Sequence, residues 1–206
     1  ENNWFDPFYI QSHLSEEESN IQKNVSNFCN NELKTNVVER NRKNEFDKDL
    51  YPKFGSLGVL GQTVKTHGGS GTSNLAYGLV AYEFEKIDSS YRSSISVQSS
   101  LVIHPISEFG SEEQKDKYLP ELIKGEKIGC FGLTESEAGS DPASMKTTFK
   151  KTKDGYILNG SKNWITNAPI ADIFIIWAIE EGKDHKSIRG FILEKNNEGL
   201  NLSLIH

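Results

Sequence analysis

The hydrophobic period of this chain changes near residue 128, and that change constrains its fold more than any other feature. Before it, Ile21, Val25, Phe28, Cys29 and Leu33 recur at helical spacing. Ser15 with Glu18, and Ser111 with Gln114, have the spacing of a capping box, in which side chain and backbone satisfy each other at a helix start. A shorter helix is expected through Leu50, Phe54 and Leu57, another through Leu75, Leu79 and Tyr82, and a third across Tyr91 to Gly110. Tyr118, Leu119 and Leu122 share one face of the helix that Ser111 opens. After the change, short β-branched or aromatic segments lie near 128–133, 146–152, 156–159, 162–166, 172–179 and 188–194. Turn signals separate them, and Asp154-Gly155 and Asn159-Gly160 read as hairpin turns. The expected class is α+β. An all-helical part covers 1–128, and an antiparallel sheet or partly closed barrel covers 129–206, looking cut off at its end.

Charge and cysteine usage exclude several classes. Lys plus Arg number 23 against 29 for Asp plus Glu, a net charge of −6 without a long basic run, which argues against a nucleic-acid binder. No apolar stretch approaches the ~20 residues needed to span a bilayer. Cys29 and Cys130 stand far apart with no Cys or His at metal-ligand spacing, so a reducing compartment is expected and a metal site is not. The Gly-rich segment Thr66 to Asn74 lacks the Lys-Ser/Thr ending of a phosphate loop and reads as a flexible loop. The opening "ENNWFDPF" carries neither an Arg-rich nor an apolar targeting segment, so the expectation is a cytosolic protein or one whose leader is gone.

The stretch "GCFGLTESEAGSD", Gly129 to Asp141, passes from apolar, Gly-spaced residues into hydroxyls, acids and small residues. A strand running into a turn accounts for it, since Gly, Ser and Asp are first of all turn residues. A loop over which a flat polar ligand lies accounts for it as well. Together with "NGSKNWITNAPIAD" and the helical front, it resembles the acyl-CoA dehydrogenase family of flavin-dependent enzymes. The resemblance is closest to the glutaryl-CoA dehydrogenase branch. "YGLVAYEFEKIDSSYRSSISVQSSLVIHPISEFGSEEQKDKYLP" resembles that branch's substrate-side helices, and "RGFILEK" its barrel. The likeness is strongest from Ala76 to Asp172. Ser136 departs from it, standing where the family usually has Pro.

The resemblance implies roles for particular residues. Phe131, Leu133, Thr134 and Ser140 match positions bordering the flavin and the CoA pyrophosphate, and Trp164, Ile165 and Thr166 match a segment packed on the isoalloxazine ring. The Thr134 and Thr166 hydroxyls would hydrogen-bond the ring and tune its electron affinity. Trp164 could instead be a buried strand aromatic. Glu85, Arg92, Ser93 and Ser96, with Ser140, match the acyl-CoA side; Arg92 would present a bidentate fork to the far carboxylate of a glutaryl group. The other readings are a solvated Arg at a helix start and an ordinary exposed Glu85 paired with a lysine such as Lys86.

For the whole protein the resemblance implies FAD as cofactor and oxidative decarboxylation of glutaryl-CoA to crotonyl-CoA and CO2. Electrons would pass to electron-transfer flavoprotein. It further implies a homotetramer in the mitochondrial matrix, with a place in lysine and tryptophan breakdown. The catalytic base is expected beyond His206, so the 206-residue chain alone is expected to be inactive, and Glu135 and Glu137 match flavin and CoA contacts rather than a base. Two rivals stand beside this reading: a non-catalytic module binding flavin, acyl-CoA or a partner protein, and a family member with another acyl preference.

Overall fold

A computed structural model describes residues 6–203. Its helices are α1 Glu16–Phe28, α2 Val37–Lys43, α3 Leu50–Ser56, α4 Asn74–Glu85, α5 Ser89–Ser96, α6 His104–Phe109 and α7 Glu112–Lys124. The strands follow: β1 Gly129–Gly132, β2 Thr148–Lys151, β3 Tyr156–Asn159, β4 Ile173–Glu180 and β5 Arg189–Glu194. The succession of helices and then strands is the one the change of period predicts. None of the described helices is long and apolar enough to cross a membrane.

Local chemistry sets the helix ends. Both capping boxes form, at Ser15 with Glu18 and at Ser111 with Gln114. Glu18 also accepts from the Ser73 hydroxyl at 2.7 Å, and Ser73 caps α4 through Ala76 N, so one carboxylate ties the starts of α1 and α4. The helix expected over Tyr91 to Gly110 is α5 and α6, joined through a π-helical stretch, Val97–Ile103. Pro105 follows directly on that stretch and, having no N–H, donates no bond back into it. Gly125 ends α7 at φ +73, and a Cβ there would come within 2.1 Å of the Tyr51 carbonyl oxygen. Only glycine allows both that backbone and that approach of α7 to α3.

The helices bury one core in which Phe28, Phe54 and Phe84 interlock, Phe54 meeting Phe84 edge to face at 5.3 Å between ring centres. On α4 the inward face is Ala76, Leu79, Val80 and Phe84, whereas Leu75 and Tyr82 point outward. The buried carboxylate of Glu83 on that face accepts from Gln22 at 2.9 Å and from Lys86 at 3.0 Å. The same core runs on into the sheet through Ile173 and Ile175. Gln98, fully buried, brackets the junction: its amide nitrogen donates to the carbonyls of Leu122 and Lys127, both at 2.9 Å, and its oxygen accepts from Gly129 N at 2.7 Å.

The sheet is mixed rather than antiparallel. β4 pairs parallel with β1 (Gly129 opposite Ile173) and antiparallel with β5 (Ile175 opposite Ile192). Its far end takes β2 in parallel, with Thr148 opposite Ile179, and β2 pairs antiparallel with β3. Asp154-Gly155 makes the expected hairpin turn between β2 and β3, closed by Thr152 N to the Gly155 carbonyl at 2.8 Å. Asn159-Gly160 does not. Gly160 has φ +155, and a Cβ there would lie 2.6 Å from Thr147 Cα, so this glycine serves a close backbone approach in place of a turn. The strand expected over 162–166 is absent, because Trp164 at φ 56 and Asn167 at φ 69 are left-handed and interrupt any pleat.

Candidate functional site

The irregular segment after β3 forms one wall of a cavity of about 1020 Å³, bounded also by β3, by Phe174 and Ile176 of β4, and by residues 197–203. That volume lies at the upper end for small-molecule sites, ~300–1,000 Å³. Trp164, Ile165 and Thr166 all line it. Trp164 is 78 % exposed, so the reading as a buried strand aromatic is overturned. A bulky residue at positive φ costs roughly 1–3 kcal/mol and persists only where the surroundings impose it. Here a strained backbone holds a large apolar side chain out into an open cavity. The floor beneath is apolar (Ile165, Phe174, Ile176 and Leu193), and the Thr166 hydroxyl is exposed beside it. Such a wall fits a flat, mostly apolar ring with polar edges, the description of an isoalloxazine.

The first motif reaches this wall through its backbone. The Thr134 carbonyl accepts from Asn163 N at 2.9 Å, and the Leu133 carbonyl accepts from Lys162 Nζ at 3.0 Å. Phe131 is partly buried and packs edge to face on Trp177 at 5.9 Å, and Ser140 is exposed in the turn before Asp141. None of Phe131, Leu133, Thr134 and Ser140 lines the cavity itself.

Between the two motifs lies a buried ion pair that inspection of the motifs did not single out. Lys162 Nζ stands 2.8 Å from Glu135 Oε1, with side chains only 8 % and 6 % exposed. Glu135 also accepts from Lys146 N at 2.6 Å and Thr147 N at 3.0 Å. Burial works to raise its carboxyl pKa, but the donors from Lys162, Thr147 and Lys146 outweigh burial and hold it down to about 2. Glu135 therefore faces inward as the clamp on its own loop, instead of outward to a ligand as its place in the motif suggested. The signal was present in the sequence: a lysine two residues before the tryptophan, in a segment otherwise apolar and amide-rich, requires a partner if it is buried.

The second group of expected residues sits on the helical side. Arg92 Nε donates to Glu85 Oε2 at 2.7 Å, across the corner between α4 and α5, with side chains 39 % and 45 % exposed. The Ser89 hydroxyl at 2.5 Å, followed by Arg92, holds the Glu85 carboxyl below its ordinary range. Glu85 is thus paired with Arg92, while Lys86 turns to Glu83. Among the described residues the terminal guanidinium nitrogens of Arg92 have no hydrogen-bond partner, which leaves the fork open to a carboxylate. Ser93 and Ser96 flank it on α5, both partly buried.

Comparison with known proteins shows the family of the chain. The profile described as "Acyl-CoA dehydrogenase, N-terminal domain" matches residues 15–126, and "Acyl-CoA dehydrogenase, middle domain" matches residues 130–206. The mitochondrial isovaleryl-CoA dehydrogenase of Pongo abelii is 39 % identical over 92 % of this chain and 46 % of its own length. A short-chain-specific acyl-CoA dehydrogenase of Clostridium acetobutylicum is 37 % identical over 93 % of this chain and 51 % of its own. Among solved structures, a glutaryl-CoA dehydrogenase from Mycobacterium smegmatis in complex with FADH2 superposes with a TM-score of 0.92 at 40 % identity, covering 97 % of this chain and 50 % of that one. The chain spans about half the length of the relatives it matches.

Proposed function

The chain belongs to the acyl-CoA dehydrogenase family, and from that premise we propose that it builds the FAD and acyl-CoA sites of a flavin-dependent acyl-CoA dehydrogenase. Trp164 and Ile165 would cover the isoalloxazine, with Thr166 hydrogen-bonding its polar edge. The bound flavin would supply the hydride acceptor. What this chain's residues do is flatten and orient that ring, exclude water from one face, and hold the acyl chain toward α5. The observation that carries the reading is the exposed Trp164 held at positive φ over an apolar floor. The test is the visible absorbance spectrum of the full-length natural protein as purified. A flavin band that disappears on denaturation and gel filtration supports the assignment, and a protein that takes up no FAD overturns it.

For the substrate we propose glutaryl-CoA, converted to crotonyl-CoA and CO2, with electrons leaving to an electron-transfer flavoprotein. The half-exposed Arg92 with its open fork is what supports a dicarboxylic acyl group, because a plain fatty acyl chain has no use for a cation there. The α-proton would be taken by a group outside these residues. Glu135 is closed in by three donors, and Glu85 is committed to Ser89 and Arg92. Arg92→Gln is expected to reduce kcat/KM for glutaryl-CoA about tenfold while leaving butyryl-CoA nearly unchanged. A fully buried pair would lose on the order of a hundredfold, but the exposure of Arg92 and Glu85 places this one at the screened, weaker end. The measurement is the ratio of the two kcat/KM values, and an equal ratio in wild type and variant returns the substrate to an unspecified acyl-CoA.

A further inference from the structure

The loop carrying Trp164 and Thr166 ends on Asn167, whose side chain is held by groups of the helical part. Asn167 has φ 69 and ψ −11. Its Oδ1 accepts from the Ser94 hydroxyl at 2.9 Å, and its Nδ2 donates to the carbonyls of Ser94 at 3.3 Å and Gly129 at 3.2 Å. Ser94 is buried on α5, two residues after Arg92. Its Oγ lies 2.6 Å from the phenol oxygen of Tyr51, which is fully buried on α3.

The direction of this relay follows from valence. An amide oxygen only accepts, so Ser94 donates to Asn167 and must accept from Tyr51. Burial raises the Tyr51 phenol well above its ordinary range, with the Ser94 and Asn167 contacts opposing, so the proton stays on Tyr51 at working pH. Tyr51, Ser94 and Asn167 therefore lock α3, α5, the start of β1 and the cavity wall together in one orientation.

Left-handed backbone alone does not explain the residue. Glycine meets that requirement as well as asparagine, yet only asparagine supplies an acceptor and two donors at this reach. We propose that Asn167 is a positioning residue that sets the separation between the ring-covering wall, Trp164 to Thr166, and the helix that carries Arg92. Ring position and acyl-chain position are then held by one hydrogen-bonded unit. The meaning of the two sides rests on the flavin and acyl-CoA reading; the coupling between them does not.

The test uses the full-length natural protein, first without flavin. Amide hydrogen exchange is followed in wild type, in Asn167→Gly, which keeps the left-handed backbone, and in Tyr51→Phe, which lies outside the cavity lining and reaches the loop only through Ser94 and Asn167. Losing hydrogen bonds of this kind is expected to speed exchange at residues 163–168 about tenfold or more in Asn167→Gly, with β4 unchanged. Tyr51→Phe should move the same amides in the same direction by a smaller factor. Loaded with FAD, both variants should show a shifted flavin absorbance band, a change that mere loss of stability would not produce. If Asn167→Gly does not fold, Ser94→Ala replaces it. Unchanged exchange at 163–168 in the folded variants overturns the proposal, as does a Tyr51→Phe effect confined to α3 and α5. A wild type that binds no flavin sinks the functional reading, and the exchange result then decides the relay by itself.

Discussion

Lys162→Met is expected to destabilise the folded protein by about 3–5 kcal/mol, because it strips one partner from a buried ion pair. Glu135 would keep its two backbone donors, Lys146 N and Thr147 N, but lose the cation 2.8 Å away in a setting where neither side chain of the pair is more than 8 % exposed. The loops tied by this pair carry both sequence motifs, so the damage should begin at the candidate site and spread. Chemical denaturation at neutral pH reads the effect, and a loss under ~1 kcal/mol, the size of a surface pair, would mean the pair is solvated in solution. The carboxylate gives a second readout with a definite sign. The folded pKa of Glu135, about 2, lies below the ordinary carboxylate range. Its contribution is therefore fully present above the unfolded value, ~4.3, and is lost as pH falls through the folded one. Glutamine at 135 cannot titrate, and its amide would face donors only. The stability gap between wild type and Glu135→Gln should accordingly be largest near neutrality and shrink as pH falls from about 5 to about 2. A gap independent of pH over that window would show that charge at Glu135 is not what stabilises the loop.

Trp164→Ala should weaken FAD binding about ten- to a hundredfold while hardly changing the flavin-free protein. Truncating a core aromatic costs ~3–5 kcal/mol, but Trp164 is 78 % exposed and so has little core packing to lose. Alanine also inherits the positive φ, so the backbone strain stays. What disappears is apolar area and ring stacking offered to the ligand, together ~1.5–3 kcal/mol, and ~1.4 kcal/mol is tenfold in Kd. Thermal melts with and without excess FAD separate the cases. If the flavin-free variant loses as much stability as the flavin-loaded one, Trp164 supports the fold and the cavity wall has been misassigned.

Much of this architecture is set by residues close together in the chain. The capping hydroxyls at Ser15 and Ser111, the helical stripes, and the Asp154-Gly155 turn each act within a few positions, so the order of helices and strands was legible from spacing alone. Of the two motifs, the second has Trp164, Ile165 and Thr166 on the cavity lining, whereas Phe131, Leu133, Thr134 and Ser140 of the first do not line it.

Strand direction was not legible. Asn159-Gly160 has the composition of a hairpin turn, and only the approach of Thr147 shows that glycine serves a crossing of two backbones there. Composition also could not tell an exposed tryptophan from a buried one, nor show that Glu135 turns inward. Those outcomes depend on contacts such as Glu135 with Lys162, 27 positions apart, and Ser94 with Asn167, 73 positions apart. A pattern within one turn or one strand carries no information about a partner at that distance. The sequence by itself determined which elements form and in what order. The tertiary structure alone decided which of their polar side chains close on one another and which stay open to a ligand, because burial and pairing belong to the packed chain as a whole.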